Sequence, residues 1–293
     1  MTPSFVTAAD VFGTWLADVE RGDPPARYAL AEPFARLDLR PGRLVMLAGA
    51  PGSGKTAAIL QMAVDLLRLN EGAKLLLANV EMPPGSLVER IASRLSGVPL
   101  TAIADRTLTA DQRGRVLAAV AAMEPIAGRL AFLAAPFSLE HLAAAGTAFE
   151  ANVIAADYLQ RFAVGDGSKA QREALEAGAA ILRRFCDAGA CVVVASAVAR
   201  QKGKSGSSYG GLNLASLRGS SELEFGSDAV YLVVPDDADG VRFECAKNRY
   251  GAPVDLQTTF DASVQTFRAA PSGLAGFDAV TPARGKADKA KGG

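Results

Sequence analysis

From residue 43 onward the chain alternates two patterns. Short, unbroken apolar runs at 43–48, 74–80, 129–134, 153–156, 191–196 and 229–234 have the length and make-up of strands buried on both faces. Between them, apolar residues recur at helical spacing over about 55–70, 86–96, 110–123, 138–149 and 170–188. This order predicts an α/β fold, a mostly parallel sheet flanked by helices. Beyond Val234 the rhythm changes. Runs at 241–246 and 254–260 flank Lys247-Asn248-Arg249-Tyr250-Gly251-Ala252-Pro253, which predicts antiparallel strands at the C-terminal side. Ahead of the core, residues 8–20 place Val11, Trp15, Leu16 and Val19 on one helical stripe, and Arg21-Gly22-Asp23-Pro24-Pro25 breaks that helix. Such a stripe must be covered, either by the chain's own core or by a neighbouring subunit; periodicity does not choose between them. The resulting division is a helix and linker over 1–30, one large domain over 31–269, and a tail over 270–293. The tail is rich in Ala, Gly, Lys and Pro, the composition of a disordered segment.

Composition narrows the chemistry. A chain of 293 residues, 49% of them hydrophobic, has enough apolar surface for a large core without disulfides or metals. Its 31 basic and 31 acidic side chains cancel, so any nucleic-acid contact must come from a local basic patch. Cys186, Cys191 and Cys245 lack CxxC spacing and read as small apolar residues of a reducing compartment. With His141 the only histidine, histidine metal sites and Ser-His-Asp catalysis have almost nothing to work with. No basic stretch leads into an apolar segment at the N-terminus, and no apolar run approaches the roughly 18 residues of a membrane span. The expectation is a soluble cytoplasmic protein without a membrane partner.

One motif is specific. Gly49-Ala50-Pro51-Gly52-Ser53-Gly54-Lys55-Thr56 fits G-x-x-x-x-G-K-[ST], follows an apolar strand and opens a helix. Glycines let the backbone wrap phosphates with its N–H groups pointing inward, and the helix adds its positive end. Lys55 is placed to reach the β- and γ-phosphates of ATP, and the Thr56 hydroxyl to join a Mg2+ shell. The alternative is a tight strand–helix turn with an incidental lysine; motif and context, both satisfied, weigh against it. Asp157 ends the run Val153-Ile154-Ala155-Ala156 at the carboxyl edge of the sheet, where open α/β sheets bind ligands; otherwise it is an ordinary capping aspartate. Glu81 ends the second strand and brings another carboxylate to that edge; its plainer reading is a solvated residue opening a helix.

Together these segments resemble the ATPase domain of DnaB-type replicative helicases, a RecA-like P-loop NTPase family. The resemblance runs through residues 49–56, Val80-Glu81-Met82, Asp157-Tyr158-Leu159-Gln160, residues 217–228 and Ala246-Lys247-Asn248-Arg249-Tyr250-Gly251. It spans roughly residues 8–265. It implies that Glu81 activates the attacking water and Asp157 serves the magnesium. Lys247 and Arg249 would reach the nucleotide of the next subunit in a hexameric ring; by themselves they are two solvated cations on a turn. The single-strand-binding loops map onto about 200–221, where Arg200, Lys202, Lys204, Arg218, Gly219 and Ser220 would follow a DNA backbone; the plainer reading is a polar surface loop. The helix at 8–20 matches the segment that docks on the adjacent subunit. The chain starts just before it, so the family's amino-terminal domain, and primase docking through it, are not expected.

The family pattern is broken in places. Ser196-Ala197-Val198 stands where serine-glutamine-leucine is usual, and alanine has no polar group to sense a γ-phosphate. Gly219 replaces a glutamate and Ser221 a glycine. Three functions therefore stay open: a ring translocase or helicase on single-stranded DNA, with loader or replication proteins as unidentified partners; a RecA-fold regulatory ATPase controlling partner assembly; and a small-molecule kinase, for which neither a lid nor an acceptor pocket is visible.

Overall fold

The computed structural model describes residues 5–157, 168–198, 226–236 and 239–270. A nine-stranded sheet forms the middle layer. In chain order its strands are β1 (Leu44–Gly49), β2 (Leu75–Asn79), β3 (Leu130–Phe132), β4 (Val153–Asp157), β5 (Cys191–Ala197), β6 (Ala229–Pro235), β7 (Gly240–Asn248), β8 (Leu256–Asp261) and β9 (Thr266–Ala269). They lie in the order β3-β2-β4-β5-β1-β6-β7-β8-β9. The first six positions are joined in parallel and the last three antiparallel. The expected mixed α/β architecture is therefore present, with its antiparallel wing at the C-terminal side.

The helices are α1 (Ala8–Arg21), α2 (Lys55–Leu69), α3 (Pro84–Ser96), α4 (Leu100–Ala104), α5 (Ala110–Ala121), α6 (Glu124–Ala127), α7 (Leu139–Ala148) and α8 (Ser168–Asp187). Strand alternation divides the core in two. Val45, Leu47, Leu75, Leu77, Val153, Ala155, Val193 and Tyr231 face one side with α2 and part of α3. Leu44, Met46, Leu76, Ile154, Val192, Val194 and Val230 face the other, against Leu142 of α7 and Leu182 of α8. Successive side chains of a strand point to opposite faces. An unbroken apolar run is thus what a doubly covered strand requires.

Four elements depart from the sequence pattern. β2 ends at Asn79, so Glu81 lies in the turn beyond it rather than on the strand. The short helices α4 and α6 fall in stretches without enough length to show a period. β9 is not expected from the sequence, because it spans four residues and follows a turn whose Gln265 adopts φ 54°. β9 nonetheless completes the core. Phe267 is 1% exposed; it stacks on Phe260 at 4.4 Å and packs against the rings of Phe34 and Phe243. The buried Gln61 of α2 grips the same residue twice, donating to the Phe267 carbonyl at 3.0 Å and accepting from its N–H at 2.8 Å. The antiparallel wing is therefore fastened to the helix that follows the glycine-rich loop.

Just after the proline-containing break, residues near 28–39 already belong to the body. Leu30, Phe34, Leu37 and Leu39 are buried, and Asn70 exchanges hydrogen bonds with the Ala29 backbone. α1 behaves otherwise. A Thr7–Asp10 capping box opens it and Gly22, at φ 72°, closes it, yet none of its residues is buried. Val11, Phe12, Trp15, Leu16 and Val19 are all exposed. Of the two destinations for this stripe, the chain's own core is not the one used. Cys186, Cys191 and Cys245 are unpaired thiols. Among the described residues, no helix is long and apolar enough to cross a membrane. The tail from 271 and the loop positions Arg200, Lys202, Lys204, Arg218, Gly219 and Ser220 lie outside the described residues.

Candidate active site

β1 delivers Gly49 to the carboxyl edge of the sheet, and the loop from Ala50 to Gly54 wraps back to start α2 at Lys55. Two glycines are required by geometry. A Cβ on Gly49 would lie 2.7 Å from both the Ser53 Oγ and the Val233 carbonyl. Gly54 has φ 91° and would drive a Cβ to 2.8 Å from the Phe267 ring. Either contact is closer than a carbon can approach. The β9 ring therefore sets the shape of the loop from behind, a constraint the motif alone does not reveal.

The Lys55 ammonium folds back over this loop, donating to the Gly49 carbonyl at 2.8 Å and the Ala50 carbonyl at 2.7 Å. Burial pulls its pKa down to about 8, against the opposing pull of Asp157 and Glu81. Thr56 Oγ1 donates to Asp157 Oδ2 at 2.6 Å. Burial raises the Asp157 pKa, while the hydrogen bond from Thr56 and the charge of Lys55 work against that rise. A cation too sparsely solvated and a carboxylate too deeply buried are both relieved by charged ligands. The donor set suits a nucleotide with a hard cation: one hydroxyl and one carboxylate side by side, leaving room for water and phosphate oxygens. No cluster of three His, Cys, Asp or Glu side chains able to hold a metal occurs among the described residues.

Register brings in a residue that the motifs do not mark. β2 pairs with β4 so that Asn79 lies opposite Asp157. Its Nδ2 donates to Asp157 Oδ2 at 2.8 Å, while its Oδ1 accepts from the N–H groups of Glu81 and Met82 at 2.9 and 2.8 Å. Asn79 thus ties the buried carboxylate to the turn that carries Glu81. The signal in the sequence was one polar residue closing an apolar strand. Glu81 itself is exposed and lines the same cavity of about 410 Å³ as Lys55, Thr56 and Asp157. Arg90 of α3, bonded to Gln265, lines it too. So does Ala197, opposite Gly49 in the β5–β1 register, which puts a methyl group where the family pattern has glutamine.

Arg249 is elsewhere. Its N–H donates to the Asp228 carbonyl at 2.8 Å, and its Nη1 to Asp228 Oδ1 at 3.0 Å. Asp228 in turn bonds Leu44, the first residue of β1. Arg249 therefore sits at the amino edge of the parallel strands, opposite its own glycine-rich loop. The six residues of β1 separate the two, and a strand of that length runs about 20 Å. Lys247 is nearby on β7, opposite Val230. The guanidinium is not the solvated turn cation of the plainer reading, since a buried carboxylate holds it.

The sequence of this chain matches the profile of the DnaB-like helicase C-terminal domain over residues 35–269. Two solved structures share its fold. One, an ATPase domain, is 17% identical, with a TM-score of 0.78 over 92% of this chain and 100% of that one. The other, a DnaB-like replicative helicase determined with its interactions with primase, is also 17% identical, with a TM-score of 0.77 over 90% of this chain and 69% of that one. No curated protein sequence matches.

Proposed function

The chain belongs to the DnaB-like helicase C-terminal domain family, and on that premise we propose that it hydrolyses ATP to move along single-stranded DNA as a hexameric ring with shared nucleotide sites. Its fold is the RecA-like ATPase fold of that family. The observation that carries the proposal is the separation, on opposite edges of one sheet, of the phosphate loop and Arg249. A site that needs both is completed only when subunits pack head to tail, as in a closed ring.

In this reading the loop N–H groups and Lys55 hold the triphosphate, and Glu81 orients the attacking water and accepts its proton. Arg249, with Lys247 beside it, arrives from the neighbour and stabilises charge spreading over the transferred phosphoryl group. Thr56 and Asp157 would hold Mg2+, which when bound neutralises phosphate charge. Asn79 keeps Asp157 and the Glu81 turn in register, so that the metal and water positions are fixed together. The exposed stripe of α1 supports the ring, because an apolar face of that size calls for a partner surface. The apolar cleft between α3 and α5, lined by Val88, Ile91, Val120 and Met123, has matching chemistry. Arg200, Lys202, Lys204, Arg218, Gly219 and Ser220 are proposed to meet the DNA strand, and the loader or replication partners are unidentified.

A second reading has one observation in its favour. Ala197 cannot sense a γ-phosphate by hydrogen bonding, which suits a regulatory ATPase whose nucleotide state controls partner assembly without unwinding. Two measurements separate the readings. Turnover is expected to rise with a short single-stranded oligonucleotide, and the solution mass with ATP to reach six subunits. Absence of strand stimulation at every protein concentration removes the motor reading; directional unwinding of a forked duplex removes the regulatory one.

A further inference from the structure

Asp228, one residue before β6, is 1% exposed, and three donors converge on its carboxylate. The Leu44 N–H and Arg183 Nη1 both reach Oδ2 at 3.0 Å, and Arg249 Nη1 reaches Oδ1 at 3.0 Å. A buried carboxylate is costly unless paired and hydrogen-bonded. Here two guanidiniums and an amide meet that need. Arg183 of α8 is shared with Asp187 at 3.2 Å, so it is Arg249 that brings the two carboxylates and two guanidiniums to neutrality. The pairing with Arg249 thus supplies part of what Asp228 requires for its burial.

The same pairing fixes Arg249. That residue follows the end of β7 and is bound twice to the same partner, through its backbone N–H to the Asp228 carbonyl and through its guanidinium to the carboxylate. Its side chain remains 42% exposed. A guanidinium carries five donors in a rigid fork, so fixing one edge orients the others. Holding a catalytic cation in place before it is needed removes reorganisation from the reacting step.

We infer that Asp228 is a positioning residue for the shared site, setting the direction of Arg249 in one subunit so that it completes the nucleotide pocket of the next. This rests on the proposal that Arg249 works across the interface. The test is subunit mixing. Asp228→Asn keeps an acceptor for the Leu44 N–H and nearly the same shape but loses the charge that holds the fork. Its kcat for ATP is expected to fall about a hundredfold, the scale of a small misplacement of a reacting group, with KM for ATP and ring mass unchanged. Mixing with Lys55→Ala subunits should then restore turnover, because the intact loop of the variant meets an undisturbed Arg249.

A purely structural role for Asp228 would impair its own subunit and would not respond to mixing. If Arg249→Ala is rescued by mixing and Asp228→Asn is not, this inference alone falls. If neither is rescued, the shared-site proposal falls with it. Should Asp228→Asn fail to fold, Asp228→Glu retains the charge and displaces the guanidinium by one methylene. The same loss and rescue are expected, and full activity in normal rings overturns the inference.

Discussion

Arg249→Ala is expected to lower ATP turnover by about three to five powers of ten, the range observed when an arginine finger is lost. Nucleotide affinity should change little, because the substituted residue lies at the sheet edge remote from its own loop. The loss should be partly recovered when the variant is mixed with subunits carrying Lys55→Ala. Each variant then supplies what the other lacks: an intact loop on one side of the interface, an intact guanidinium on the other. Turnover that stays at the wild-type level in Arg249→Ala would remove the shared site. The substitution also leaves Asp228 with Arg183 and the Leu44 amide as partners, so the fold should tolerate it.

Lys55→Ala should abolish hydrolysis together with the stabilisation that ATP confers, without lowering the melting temperature of the nucleotide-free protein. The reason is electrostatic. Burial holds the Lys55 pKa at about 8 against an ordinary 10.5, so the folded state binds this proton less tightly than the unfolded chain does. Stability then rises with pH between about 8 and 10.5, and the charged form is a burden on the fold at all lower pH. Removing the side chain removes that burden along with its bonds to the Gly49 and Ala50 carbonyls. In the wild type, bound triphosphate favours the ammonium, so ATP binding near pH 8 should take up a proton and affinity should decline as pH climbs past about 8. Titration calorimetry in buffers of different ionisation enthalpy reads that uptake. A pH-independent affinity in the wild type, with no proton taken up near pH 8, contradicts the assignment.

Much of this was legible from residue order alone because the signals are local. An unbroken apolar run has one economical destination, a strand covered on both faces, and Leu44 to Ala48 and Val153 to Ala156 go there. The glycine-rich loop announces itself because steric limits on backbone close to phosphate apply within eight consecutive residues. Asp157 could be read as a strand-end carboxylate from the apolar residues that carry it. Glu81 was placed at the right edge, although β2 stops two residues short of it. Signals weaken where an element is too short to express a period, as in α4 and α6, or where its anchor lies far away in sequence. β9 is held by Gln61, 206 positions earlier, and nothing around Thr266 hints at that partner.

The chain's own order of residues thus determined the class of fold, the glycine-rich loop at the sheet edge and the identity of its lysine, its threonine and the facing aspartate. Tertiary structure alone decided that Asn79 bridges Asp157 to the Glu81 turn, that Phe267 closes the back of the loop at Gly54, and that Asp228 grips Arg249 at the edge opposite its own loop. The physical reason is range. Periodicity and steric motifs act between near neighbours along the backbone, whereas hydrogen bonds and ion pairs between buried polar groups depend on strand register, which is settled only when the whole sheet assembles.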